Sequence, residues 1–393
     1  VKIDGELGEN GELLATLKGS LYIDNDDGMT DNLEVRNLAF EMSGTHSLTL
    51  FGVNGGLVTN CVFIGNTTDW TGSHAILLKS SSKNGNSNIT VQNCVFSGGH
   101  FNTIQGYGTF VTIDNCSIQD VYEGAINLQG GGNLVVKDSD ISVTAQTTGH
   151  AYCVRFPSSD AVNMLVSGCD LRLTQNNPAE GSYQAAVIVR TNASGDLKVE
   201  NCSIQGGIVN LDDTMVNASG NWWGSADAAG VAGKVVAGSV DYSPWLAVGT
   251  DTDGGALGFK GNFSKLWVGA DSPQAGTVGG IQEGVNLVAT NGTVNVTAGT
   301  YAGPTLTKSV TLMGANAGVA GYASRGVESV ISNSQITIGS LTDASVLVID
   351  GFKFAGTGYT MKSGVLPLDA GIVFRNNLVD AKTAGDDAIQ IYS

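Results

Sequence analysis

The chain has 393 residues and a formal net charge of −17, with 55 glycines, 6 prolines, 14% charged and 42% apolar residues. That much apolar material supports a large core and argues against disorder, while 36 acids against 19 bases argue against a basic nucleic-acid face. No run of about 18 apolar residues is present, so no helix is expected to span a membrane.

The N-terminal Val1-Lys2-Ile3-Asp4-Gly5 has neither the basic start nor the apolar segment of a signal peptide. An acidic stretch follows, Asp24-Asn25-Asp26-Asp27-Gly28 with Asp31. Its carboxylates, like Asp251 and Asp253 further on, suit Ca²⁺ as hard oxygen ligands, though the spacing is not that of an EF-hand loop. A solvated acidic turn reads equally from the same residues.

From residue 33 one phrase recurs: apolar-x-apolar-x-Asn-small-x-apolar. It first appears as Leu33-Glu34-Val35-Arg36-Asn37-Leu38-Ala39-Phe40 and returns at 57–63, 89–96, 111–118, 134–141, 164–171 and 197–204, with weaker copies ending at Phe354 and Val379. Alternating Val, Ile, Leu and Phe predict short strands with one face inward. Repeats of 22 to 33 residues cannot bury that face alone and must stack on their neighbours. The asparagine between two strand pieces predicts a tight bend, because Asn tolerates the left-handed conformation. Stacking would set Asn37, Asn60, Asn93, Asn115 and Asn201 above one another as an amide ladder, interrupted at Asp138 and Gly168. Cys61, Cys94, Cys116 and Cys202 each follow one of these asparagines and Cys169 follows Gly168, which predicts stacked, buried, free thiols rather than disulfides. The cysteines therefore leave the redox compartment open.

The histidines align just before the strand that follows the variable loop. Read by eye, His46, His74, His100 and His150 share a column with Gly124, Ala185, Gly207 and Asp387. The column is either a stripe of ligands for a metal or an anionic sugar, or a turn position that suits Gly and tolerates His and Asp. Arg155 and Arg190 are read at similar strand-end positions in consecutive rungs.

Taken together, these repeats resemble the right-handed parallel β-helix proteins, the pectin-lyase-like superfamily, in a tandem bacterial extracellular form. The resemblance implies an all-β solenoid. Asn221-Trp222-Trp223-Gly224 with Asp241-Tyr242-Ser243-Pro244-Trp245-Leu246 resembles that family's closing segment. Trp222, Trp223 and Trp245 would then seal the end of a first helix, or stack on a sugar. Gly280-Ile281-Gln282-Glu283-Gly284-Val285, Thr293-Val294-Asn295-Val296 and Gly299-Thr300-Tyr301 resemble an opening segment, a capping helix followed by a strand and a glycine turn. A Gly/Asp-rich stretch between them reads as a linker.

The segments beginning at Val310, Ser345 and Gly385 repeat those at Val1, Asn32 and Gly72 with an offset of about 310 residues. The expected organisation is therefore two tandem β-helix units, the second incomplete: 1–247, a linker at 248–265, and 266–393. The chain reads as a segment of a longer array, or as a subunit that joins copies of itself end to end.

Gly385-Asp386-Asp387-Ala388-Ile389 resembles one acidic motif of the polygalacturonase family, whose companion Asn-Thr-Asp and His-Gly motifs are absent. No complete catalytic set reads out. The sequence thus predicts an extracellular or cell-surface scaffold, as in an adhesin, filament or surface layer. The alternative is a polysaccharide lyase, hydrolase or epimerase, or a carbohydrate-binding module for an acidic polysaccharide. No cofactor is required beyond the Ca²⁺ considered above.

Overall fold

The computed structural model describes the chain except residues 26–28, 44, 67–71, 81–84, 130–131, 157–162, 191–194, 333, 342–344, 357, 368, 381–387 and 393. The chain divides into two compact units. One comprises residues 1–217, 233–240 and 251–261; the other comprises 218–232, 241–250 and 262–393.

The first unit is a parallel β-helix, each rung laying strands on three stacks. Val53–Thr59, Asn86–Gln92, Leu134–Lys137, Met164–Ser167 and Leu197–Glu200 belong to one stack. After the bend, Ala39–Glu41, Val62–Ile64, Val95–Ser97, Ser117–Val121, Asp140–Thr144, Asp170–Thr174 and Ser203–Gln205 form the second. The third runs through Leu21–Asp24, His46–Phe51, His74–Lys79, Gly124–Gln129, Ala151–Phe156, Gln184–Val189 and Ile208–Asn210. Asn102–Asp114 is long enough to serve the third stack with its first half and the first stack with its second.

Each bend is made by one residue in the left-handed region. Asn37, Asn60, Asn93, Asn115, Asp138 and Asn201 have φ between 49° and 57°, and Gly168 has φ 64°. The conformation therefore runs unbroken through Asp138 and Gly168; what those two interrupt is only the amide chemistry. Asn60 Nδ2 donates to Asn37 Oδ1 at 2.6 Å and Asn115 Nδ2 to Asn93 Oδ1 at 2.7 Å, while Asn37 Nδ2 donates to Asp4 Oδ1 at 2.8 Å.

The core inside the second stack is one continuous column. Phe40, Phe63 and Phe96 stack nearly parallel, with ring centroids 4.7 and 4.8 Å apart, and Ile118, Ile141, Leu171 and Ile204 continue the line. All are buried. All six cysteines are free and buried.

Residues 251–261 belong to the first unit. The backbone N–H groups of Gly258, Phe259 and Gly261 donate to Asp140 Oδ1, the Gly168 carbonyl and Asn201 Oδ1 at 2.8–2.9 Å. The stretch read as a linker is thus, over these residues, laid across the bends.

The second unit repeats the same logic. Lys265–Val268, Gly292–Val296, Val310–Met313, Val346–Asp350 and Gly371–Arg375 pair in parallel, and Trp245–Leu246 adds antiparallel to Lys265–Val268. The helix Gly280–Leu287 buries Ile281, Gly284 and Val285 on one face. Trp223 and Trp245 are buried in this unit, where residues 218–232 and 241–250 belong, and Trp222 is half-buried.

Candidate functional site

The third stack of the first unit carries a side-chain face that is exposed at Tyr22 and Lys79 and buried at Thr49, Asn127, Ile188 and Val209. Along one column of that face, Tyr22, Thr49, Leu77, Gln105, Asn127, Arg155, Ile188 and Val209 are direct neighbours in register. Two residues further along the strands lie Asp24, Phe51 and Lys79, again as direct neighbours. Strand alternation places both columns on the same side.

Three cations stand on this face. Lys79 Nζ donates to the Tyr22 hydroxyl at 3.2 Å and lies 5.6 and 5.9 Å from the Tyr22 and Phe51 ring centroids. The Arg155 guanidinium lies 5.4 Å over the Tyr152 ring. Arg190 is exposed one residue beyond the paired Phe156 and Val189. Among the described residues none of the three is in an ion pair.

A cavity of about 610 Å³ opens beside Arg155, lined by Phe101, Asn102, Gln105, Glu123, His150 and Tyr152 among others. Its polar groups are ordered by one another: Tyr152 donates its hydroxyl to Asn102 Oδ1 at 2.8 Å, and Asn102 Nδ2 donates to Gln105 Oε1 at 2.6 Å. Glu123 accepts from Thr147 Oγ1 at 2.6 Å. Burial raises the Glu123 carboxyl above its ordinary value, and the Thr147 hydrogen bond opposes that rise. The Tyr183 N–H donates to His150 Nδ1 at 3.0 Å, and the two rings stack with centroids 6.0 Å apart. Burial, then the charges of Arg155 and Arg190, lower the His150 imidazole below its usual value, favouring the neutral ring.

The histidine column of the sequence reading is corrected by the register. His46 and His74 are true neighbours, with rings stacked 5.0 Å apart. The column then runs through Asn102, Gly124, Tyr152 and Ala185, so His100 and His150 each fall two residues short of it. Arg155 pairs with Ile188, so Arg190 likewise lies two residues beyond Arg155's place. A slip of two keeps a residue on the same face of its strand, so the apolar pattern cannot detect it. His100 is fully buried and burial lowers it to about 4; His74, buried with Nδ1 3.0 Å from the Asn102 carbonyl, is also lowered to about 4.

The acidic residues fall in two places. Asp31 accepts from Asn54 Nδ2 at 2.8 Å, and Asp24 ends the strand Leu21–Asp24. Asp251 Oδ1 accepts the N–H groups of Asp253 and Lys260, both at 3.0 Å, and shares a cavity of about 360 Å³ with Asp114, Asp138 and Asp253. Among the described residues no group of three or more His, Cys, Asp or Glu side chains is placed to hold a metal ion. Asp26, Asp27, Asp386 and Asp387 lie outside the described residues. The residues that sequence reasoning missed are Lys79, which stands against Tyr22 and Phe51, and Tyr152 and Glu123, which line the cavity beside Arg155.

The match to a family model agrees with this fold. Residues 51–222 match the family model described as a right handed beta helix region. No curated protein matches the chain. Among solved structures, a variant of the PL6 family alginate lyase AlyGC aligns over 100% of this chain and 80% of its own, at 11% identity and a TM-score of 0.20. A likeness of that size carries no functional argument.

Proposed function

We propose, from the right-handed β-helix that residues 51–222 match, that this chain is an extracellular scaffold that holds an acidic polysaccharide along its third stack. What supports the reading is the placement of Lys79, Arg155 and Arg190, outside any ion pair among the described residues and beside Tyr22, Phe51 and Tyr152, on one strand face of a chain whose net charge is −17. Cations spread over several rungs, with Lys79 and Arg155 three rungs apart, suit an extended polyanion better than a compact ligand. Aromatic rings add apolar contact to sugar faces, and guanidinium groups match carboxylate geometry.

The test is retention on soluble polyuronates against a neutral dextran. Binding should weaken with added salt, and Arg155→Ala combined with Lys79→Ala should reduce it at least about tenfold, as expected for losing roughly 1.4 kcal/mol. Equal retention on dextran, or no loss in the double variant, would remove the proposal. Release of unsaturated or reducing ends in the same incubation would replace the binding reading by an enzymatic one.

A further inference from the structure

Five of the six cysteines occupy one column of the first unit. Cys61, Cys94 and Cys116 lie in three consecutive rungs, as the bonds from Val95 N to the Cys61 carbonyl and from Ser117 N to the Cys94 carbonyl show, both 3.0 Å. Ser139 holds the next place, and Cys169 and Cys202 follow in consecutive rungs. Every thiol in the column makes the same contact. Cys61, Cys94, Cys116, Cys169 and Cys202 donate to the carbonyls of Thr59, Gln92, Asp114, Ser167 and Glu200 at 3.2–3.3 Å. An identical contact at each rung means an identical side-chain orientation, so the sulfurs repeat at the rung spacing of about 4.8 Å.

That arrangement opposes a disulfide. The Cα–Cβ vectors run parallel, and Cβ atoms about one rung apart exceed the roughly 3.8 Å mean a disulfide takes. A two-coordinate ion has the opposite requirement, because two metal–sulfur bonds of about 2.3 Å laid end to end span about 4.6 Å. Soft sulfur ligands select soft cations.

We infer that the cysteine column binds a soft monovalent cation, copper(I) or silver(I), held linearly between the sulfurs of adjacent rungs. No three ligands converge on one point among the described residues, a convergence that a tetrahedral ion needs and a linear one does not. Bridging one pair breaks two S–H bonds, forms two metal–sulfur bonds and releases two protons to solvent. Where Cys94 bridges two ions, three protons leave for two ions. Each occupied group then keeps a single negative charge. Cys153 stands outside the column, donating to the Arg172 carbonyl at 3.4 Å.

The experiment is titration of the reduced, folded chain with silver nitrate in chloride-free buffer, read by native mass spectrometry, proton release and far-UV circular dichroism. The expected result is one ion per adjacent sulfur pair, about three per chain, with more than one proton released per ion and the β-sheet signal retained. Cys94→Ser should remove the two ions of the trio and leave that of Cys169 and Cys202. The variant is expected to fold, because Ser139 already fills this column and donates to the Lys137 carbonyl at 2.7 Å. Cys153→Ser should change nothing. Undiminished uptake in Cys94→Ser, uptake lost in Cys153→Ser, or uptake only as the β-sheet signal collapses would each overturn the inference.

Discussion

At five of the seven bends described above an asparagine does two jobs that no other residue type combines. It adopts positive φ at low cost, and its amide can bond the amide of an adjacent rung, as Asn60 donates to Asn37 and Asn115 to Asn93. These contributions separate experimentally at Asn115, which has φ 49° and donates to Asn93 Oδ1. Asn115→Ala is expected to cost about 1–3 kcal/mol in urea melts, from backbone strain plus one lost hydrogen bond. Asn115→Gly should recover the strain and lose only the bond. Equal losses in the two variants would show that the conformation contributes nothing. Of this design the amino-acid string reveals the residue and its period, since Asn before Cys recurs. It conceals that Asp138 and Gly168 bend identically, because a backbone angle is not a composition.

Within the stacks, neighbouring strands contribute the same inward position, and their side chains become each other's packing partners. Phe63 is held between Phe40 and Phe96 and is fully buried. Phe63→Ala is expected to cost about 3–5 kcal/mol, because flanking rings fixed on separate rungs cannot close the gap. A loss under about 1 kcal/mol by denaturant melting would mean the column relaxes. The capping helix Gly280–Leu287 of the second unit has a different sensitivity. Glu283 lies in its first turn, and burial raises that carboxyl to about 7 against an ordinary 4.5, with the nearby Asp241 charge also raising it. The folded state therefore holds this proton more tightly than the unfolded state. Its stabilising contribution is complete below about pH 4.5 and is lost as pH rises through about 7. Glu283→Gln should flatten that part of the stability profile; an unchanged slope between pH 4.5 and 7 would exclude Glu283 as its source.

Across the first unit the histidines set the opposite limit. His74 and His100 are lowered to about 4 by burial, with the charge of His46 adding to the effect at His74 and the charge of His74 adding to it at His100. Their folded values lie below the ordinary 6.5, so the unfolded chain binds these protons more readily. Stability is expected to be full above pH 6.5 and to fall as pH drops towards 4, when both rings must charge inside the stack. His74→Asn with His100→Asn should shift acid unfolding to lower pH. An unmoved acid midpoint in a variant of native-like stability at pH 7 would assign acid sensitivity elsewhere. Strand alternation, the Asn–Cys bend, the stacking of repeats and the buried thiols are legible in the amino-acid string because they are local patterns that repeat, and the parallel β-helix follows from the family those repeats resemble. Which side chains share a rung position is set by the folded register instead. Loops of unequal length set the register, a two-residue slip leaves every residue on its face, and so His100, His150 and Arg190 fall out of their expected columns while Lys79, Glu123 and Tyr152 enter the site.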